Sequence, residues 1–116
     1  MSRPKNDDAY FRVLRLLEQN PELSQREVAQ ALGVSLGAIN YILRALFEKG
    51  QIKTQNFRTS DNKLRYAYIL TPSGIEAKAR LTLDFLGRKY AEYECLKAEI
   101  EELEADLEDS ADRLAR

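Results

Sequence analysis

The stretch Leu23-Ser24-Gln25-Arg26-Glu27-Val28-Ala29-Gln30-Ala31-Leu32-Gly33-Val34-Ser35-Leu36-Gly37-Ala38-Ile39-Asn40-Tyr41-Ile42-Leu43-Arg44-Ala45-Leu46-Phe47-Glu48-Lys49-Gly50 decides the fold. Ser24 and Glu27 have the S-x-x-E spacing of a capping box: the hydroxyl accepts from the backbone N–H three residues on, and the carboxylate reaches back. A short helix therefore opens at this point, with Val28, Ala29 and Leu32 as its apolar side. Gly33 supplies a sharp turn. Ser35 then caps a further helix whose inner face is Ile39, Ile42, Leu43 and Leu46. Lys49 suits the negative end of that helix dipole, and Gly50 is a natural stop.

Upstream, Asn6-Asp7-Asp8 offers caps for a first helix, with Tyr10, Val13, Leu14 and Leu17 on one face. Asn20-Pro21 ends it, because a residue before proline is pushed out of the helical region. Downstream, Ile52–Arg58 reads as a strand of weak alternation. Thr59-Ser60-Asp61-Asn62-Lys63 is turn chemistry. Leu64–Leu70 alternates, with Leu64, Tyr66, Tyr68 and Leu70 on one side, so the two strands make a hairpin. Thr71-Pro72 starts another helix, threonine as cap and proline at the first helical position. No proline follows, so this helix runs towards the C-terminus. The expected fold is mainly α with a small β-hairpin. A winged helix-turn-helix domain occupies residues 1–75, and a long C-terminal helix, read as a coiled coil, occupies 76–116.

This order of elements predicts contact with double-stranded DNA. In such a domain the second helix buttresses the third, which enters the major groove. With Ile39, Leu43 and Leu46 turned inward, the outward residues are Leu36, Gly37, Asn40, Tyr41 and Arg44, with Ser35 at the cap. Gly37 and Ala38 are small enough for the backbone to approach the groove. Asn40 carries the donor-acceptor pair that suits adenine, and Arg44 reaches a guanine edge or a phosphate. Tyr41 can donate to phosphate or stack on sugar. Ser24, Gln25 and Arg26 lie where free backbone N–H groups favour a phosphate. Arg58, Asn62, Lys63 and Arg65, with Lys53, make the hairpin basic against the single acid Asp61, as suits a wing lying along the phosphate backbone.

Composition narrows the alternatives. The chain has 116 residues, no histidine and one cysteine, Cys95. It therefore lacks the commonest general base, an intrachain disulfide, and the ligands of a structural zinc site. Leu32-Gly33-Val34-Ser35 lacks the G-x-S-x-G spacing of a hydrolase elbow, and no glycine-rich phosphate loop is present. An enzyme is not expected, nor is a cofactor or metal. No apolar run is long enough to span a bilayer, and the N-terminus lacks the apolar core of a signal peptide, so the expectation is a cytoplasmic protein without membrane contact. Net charge is divided: residues 1–91 hold 15 Lys and Arg against 9 Asp and Glu, a net +6, and residues 92–116 hold 3 against 10, a net −7. A basic body and an acidic tail fit a DNA-facing part and a DNA-avoiding part. A protein-interaction module on the same scaffold is the alternative. It would be favoured by an acidic groove face, which the sequence does not have.

The segments Leu23 to Ser35 and Ala38 to Gly50 resemble the helix-turn-helix of MarR-type regulators. The wing and exit, Asn56-Phe57-Arg58, Asp61-Asn62-Lys63-Leu64 and Leu70-Thr71-Pro72-Ser73-Gly74-Ile75-Glu76, are similar to the MarR-family subgroup associated with exopolysaccharide gene clusters. The resemblance covers most of the chain, from about Asp8 into the last helix. It implies a DNA-binding homodimer controlling transcription of polysaccharide-production genes. Larger MarR-type proteins carry more helix before the helix-turn-helix, where it helps build the dimer interface and an effector pocket. Here only one helix precedes it. This departure argues against a small-molecule effector and shifts dimerisation onto the last helix.

That helix has the pattern for it. With heptad position a at Leu86, Tyr93, Ile100 and Leu107, position d falls at Lys89, Leu96 and Leu103. Every a and d site from Tyr93 to Leu107 is apolar, a seam of about two heptads. A stripe this long is expected to pair with a second copy. The flanks leave the arrangement open: in a parallel pair Glu92 meets Lys97, but Glu99 meets Glu104, and an antiparallel crossing, packing on the partner's first helix or a basic partner protein are the alternatives. Cys95 lies beside the seam as a bystander.

Overall fold

The computed structural model describes the backbone of residues 3–116 and side chains from residue 8 onward. Among the described residues, four helices and one hairpin follow in the order α1 (Arg3–Gln19), α2 (Gln25–Leu32), α3 (Leu36–Glu48), β1 (Ile52–Arg58), β2 (Leu64–Leu70) and α4 (Pro72–Ala115). The chain divides into two compact units, Met1–Thr82 and Leu83–Arg116.

Helix α1 departs from the expected start. It already runs at Arg3, so Asn6-Asp7-Asp8 lies inside it and does not cap it. The side chains of Asn6 and Asp7 lie outside the described residues. The apolar spacing reads as expected further on: Val13, Leu14 and Leu17 are fully buried and Tyr10 is half-buried. Phe11 is buried as well, on a position the one-face reading left outside.

The turns of the central segment follow from its caps. The Ser24 Oγ accepts from the Glu27 backbone N–H at 3.1 Å, and the Ser24 N–H donates to Glu27 Oε1 at 3.0 Å, completing the capping box. Helix α2 closes on Gly33 at a φ of +68°, where glycine alone is unstrained. The Val34 N–H then returns to the Ala29 carbonyl at 3.0 Å, satisfying a terminal acceptor. Ser35 Oγ accepts from the Ala38 N–H at 3.0 Å and opens α3. The axes of α2 and α3 differ by 112°, a helix-turn-helix angle. This pair is also the nearest approach to a membrane span by composition. No single helix among the described residues is long and apolar enough to cross a bilayer.

The core of the first unit gathers Val13, Leu14 and Leu17 of α1, Val28 and Ala29 of α2, and Ile39, Ile42, Leu43 and Leu46 of α3. Ile52 and Leu70, paired across the base of the hairpin, close it. Each fully buried branched side chain contributes roughly 1.5–3 kcal/mol relative to exposure. Only the base of β2 reaches this core. Leu70 is buried and Tyr68 half-buried, whereas Leu64 and Tyr66, on the same side of the strand, stand in solvent. Ala67, on the other side, is buried. The expected apolar side of β2 is therefore split, its lower half structural and its upper half displayed.

Helix α4 begins as the sequence indicates. Thr71 Oγ1 accepts from the Gly74 N–H at 3.1 Å, and Pro72 is the first helical residue. The first turn packs against the hairpin entry, where the Thr71 N–H donates to the Gln51 carbonyl at 3.0 Å. Lys78 pairs with Glu18 of α1. In the second unit, the six seam residues Leu86, Tyr93, Leu96, Ile100, Leu103 and Leu107 are all exposed, and so are Leu83 and Tyr90. The apolar stripe of this unit thus starts before Leu86 and runs through Tyr90 rather than Lys89, whose ammonium lies 5.2 Å above the Phe85 ring and bonds Glu92 at 3.2 Å.

Candidate nucleic-acid interface

Helix α3 turns one face inward and leaves the other open. Leu36, Gly37, Asn40, Tyr41 and Arg44 are all exposed, and Tyr41 keeps 71% of its surface in solvent. Small residues stand at the start of that face, with Asn40, Tyr41 and Arg44 on the next two turns. This is the distribution that lets a helix approach base edges with its N-terminal half.

Asn40 is not isolated there. Its Nδ2 donates to Gln25 Oε1 at 3.3 Å, and Gln25 Nε2 donates to the Tyr68 hydroxyl at 3.2 Å. One amide thus ties the outward face of α3, the start of α2 and the second strand of the wing together. Gln25, expected at a phosphate, is engaged here by Asn40 and Tyr68. It orients Asn40, whose amide oxygen has no protein donor among these bonds. Sequence reasoning missed Tyr68 as a member of this set, because a tyrosine in an alternating strand reads first as core. The same strand is also held from outside, by the Tyr68 N–H donating to the Pro21 carbonyl at 3.0 Å.

Ser24 and Arg26 are exposed at the N-terminus of α2, beside the half-buried Gln25. Ser24 is engaged in its capping box, leaving Arg26 as the projecting cation. The first turn also carries Glu27, whose carboxyl is held below its ordinary value chiefly by the Ser24 backbone N–H, then by the Ser24 hydroxyl, with Arg65 a smaller influence. A groove of about 310 Å³ separates this turn from β2 and is lined by Gln25, Arg65, Tyr66 and Tyr68, among others.

The wing tip is built by its own hydrogen bonds. The Thr59 N–H donates to the Lys63 carbonyl and the Asn62 N–H to the Thr59 carbonyl, each at 2.9 Å. Asn62 adopts a φ of +63°, a left-handed conformation that asparagine tolerates better than most residues. Its Oδ1 accepts from Arg58 Nη1 at 3.5 Å, which draws the guanidinium towards the turn. Asp61 is bound by the Thr59 hydroxyl, and that bond holds its carboxyl below the ordinary range. The tip's one acid is thus occupied locally. Arg58, Asn62, Lys63 and Arg65 are all exposed. Leu64 and Tyr66 add exposed apolar surface, which the basic reading of the wing left out.

Helix, turn, outward-facing helix and basic wing together define a winged helix-turn-helix domain. Residues 7–53 match the family model for winged helix-turn-helix DNA-binding domains, a span that reaches from α1 into β1. Over 71 residues the chain is 34% identical to a protein of Thauera aromatica described as the candidate transcriptional regulatory protein for the hcr operon. The match takes in 61% of this chain and 42% of that protein, so the chain spans less than half of the relative's length. Among solved structures, a MarR family protein of Mycobacterium tuberculosis in complex with DNA is similar at 28% identity and a TM-score of 0.51, over 65% of this chain and 51% of that one. A PadR-like transcriptional regulator from Bacillus cereus is similar in fold, with a TM-score of 0.68 at 19% identity over 76% of this chain and 90% of that one. The winged domain is thus similar in sequence and fold to a MarR-family domain, and similar in fold to a PadR-like one.

Proposed function

We propose that this chain is a sequence-specific regulator of transcription that binds double-stranded DNA as a homodimer in the cytoplasm, and is not an enzyme. The observation that carries the reading is the outward face of α3, with Asn40, Tyr41 and Arg44 exposed above small residues and flanked by a basic wing. In this reading α3 lies in the major groove. Asn40 and Arg44 read base edges, and Ser35, Leu36, Gly37 and Tyr41 fit against the groove wall. Ser24, Gln25 and Arg26 approach one phosphate strand, while Arg58, Asn62, Lys63 and Arg65 follow the backbone at the wing. The similar mycobacterial protein was solved in complex with DNA, which supports DNA as the partner.

Two copies joined through residues 76–116 would present two α3 helices to one duplex, each as part of a domain spanning residues 1–75. The exposed stripe of Leu86, Tyr93, Leu96, Ile100, Leu103 and Leu107 supports that pairing. The genes controlled are those of exopolysaccharide production, a reading supported by the wing and exit sequences alone. No cofactor or small-molecule effector is part of the proposal.

The exposed apolar residues of α3, Leu36, Tyr41 and Phe47, are what a protein-interaction module would use instead. Selection from a pool of random duplexes with the full chain separates the two readings. The regulator enriches one motif in two copies, spaced by about one helical turn or a multiple of it. A pool that stays random after repeated rounds would leave the protein-interaction module as the better reading.

A further inference from the structure

We propose that residues 83–116 pair antiparallel with the same segment of a second copy, the two helices crossing beside Cys95. The inference rests on the homodimer reading above and adds its direction. Leu83, Leu86, Tyr90 and Tyr93 follow one another at steps of three, four and three residues. Leu96, Ile100, Leu103 and Leu107 continue at three, four, three and four. The repeated step of three, Tyr90 to Tyr93 to Leu96, tightens the left-handed winding of the stripe near its middle.

This order is nearly the same read backwards. Reversing one copy about a point beside Cys95 sets Leu83 against the partner's Leu107 and Leu86 against the partner's Leu103. It likewise sets Tyr90 against the partner's Ile100 and Tyr93 against the partner's Leu96. Every apolar position then meets an apolar position. Parallel, in-register pairing also matches apolar with apolar, so packing permits both directions and charge decides between them.

Residues 99–107 hold five acids (Glu99, Glu101, Glu102, Glu104 and Asp106) and no base. Residues 83–91 hold Arg88 and Lys89 against Asp84. A parallel pair stacks the five acids on the partner's five, with Glu99 at the flank opposing the partner's Glu104. Like charges at the flanking positions of such a seam oppose pairing. An antiparallel pair lays the acidic run along the partner's Arg88 and Lys89. At the seam's edges Lys89 then meets the partner's Glu99, and Glu94 meets the partner's Lys97. Each of these attractive contacts occurs twice by symmetry.

The test uses the full chain with Cys95→Ala, carrying Leu86→Cys in one preparation and Leu103→Cys in another. The two are mixed and equilibrated in a glutathione redox buffer. Sedimentation of the unsubstituted chain is run beside them. In the antiparallel pair the 86 and 103 positions meet, whereas the two 86 positions lie about 25 Å apart along the helices, too far for a disulfide. The expected result is a dimer in sedimentation, with the mixed 86–103 disulfide formed and both like-with-like disulfides absent. A dimer giving 86–86 and 103–103 disulfides overturns the antiparallel direction and leaves the homodimer standing. A dimer giving no disulfide through these positions moves the interface off this stripe. A monomer in sedimentation overturns the homodimer reading itself.

Discussion

Gly74 sits where a side chain has no room. A Cβ built on it would lie 1.9 Å from the Gln51 carbonyl oxygen, the acceptor that also holds the Thr71 N–H. Backbone must move to admit even a methyl group. Gly74→Ala is expected to lower stability by about 1–3 kcal/mol, the usual cost of overpacking, in urea unfolding followed by circular dichroism. Glu27 gives a pH signature at the same scale. Its folded carboxyl lies below the ordinary value of 4.5, so its contribution is complete above that value. The contribution is lost as pH falls through the depressed folded value. Glu27→Gln is therefore expected to be less stable than the parent at neutral pH, with the gap closing in acid. A gap independent of pH in the same unfolding series would remove the carboxylate from the cap. Arg44→Ala and Asn40→Ala are expected each to weaken specific DNA binding by roughly 1–3 kcal/mol and to relax preference at one base pair. Competition assays against single-base variants of the selected motif measure both effects. Unchanged affinity and preference for Arg44→Ala would mean that α3 does not enter the groove as placed.

The wing and α3 are proposed to make different kinds of contact with DNA. Lys63 is exposed at a tip closed by the Thr59 and Asn62 bonds. As a point charge it suits a phosphate, so Lys63→Ala is expected to weaken all duplexes alike and to reduce the salt slope by about one. A loss confined to one sequence would assign Lys63 a base instead. The elements themselves were largely legible in the sequence because their signals are local. Ser24 with Glu27, Ser35, Gly33, Gly50 and Thr71-Pro72 each fix an end by backbone hydrogen bonding or φ, and both strands fall where their composition changes. What was not legible depends on contacts between distant residues. The start of α1 lies upstream of the apparent caps at Asn6-Asp7-Asp8. The burial of Phe11 and the exposure of Tyr66 depend on which neighbours arrive from elsewhere in the chain. The Gln25–Asn40–Tyr68 network joins three elements, and no sequence spacing announces it. Asn40 and Arg44 could be placed on the outward face of α3 by periodicity alone, but the amide that orients Asn40 could not.

Across the whole molecule, charge is apportioned by segment: net +6 in residues 1–91 and net −7 in residues 92–116. The basic share alone would give salt-sensitive attraction to any duplex, since phosphate contacts release counterions whatever the sequence. Specific recognition needs the α3 face in addition. The most direct test is therefore fluorescence anisotropy of the full chain with the duplex upstream of its own gene, against a scrambled duplex of equal length and composition, across a salt series. The native duplex is expected to bind about a thousandfold or more tightly and to hold near physiological salt, while the scrambled duplex falls away. Equal affinity for both, lost together as salt rises, would contradict it.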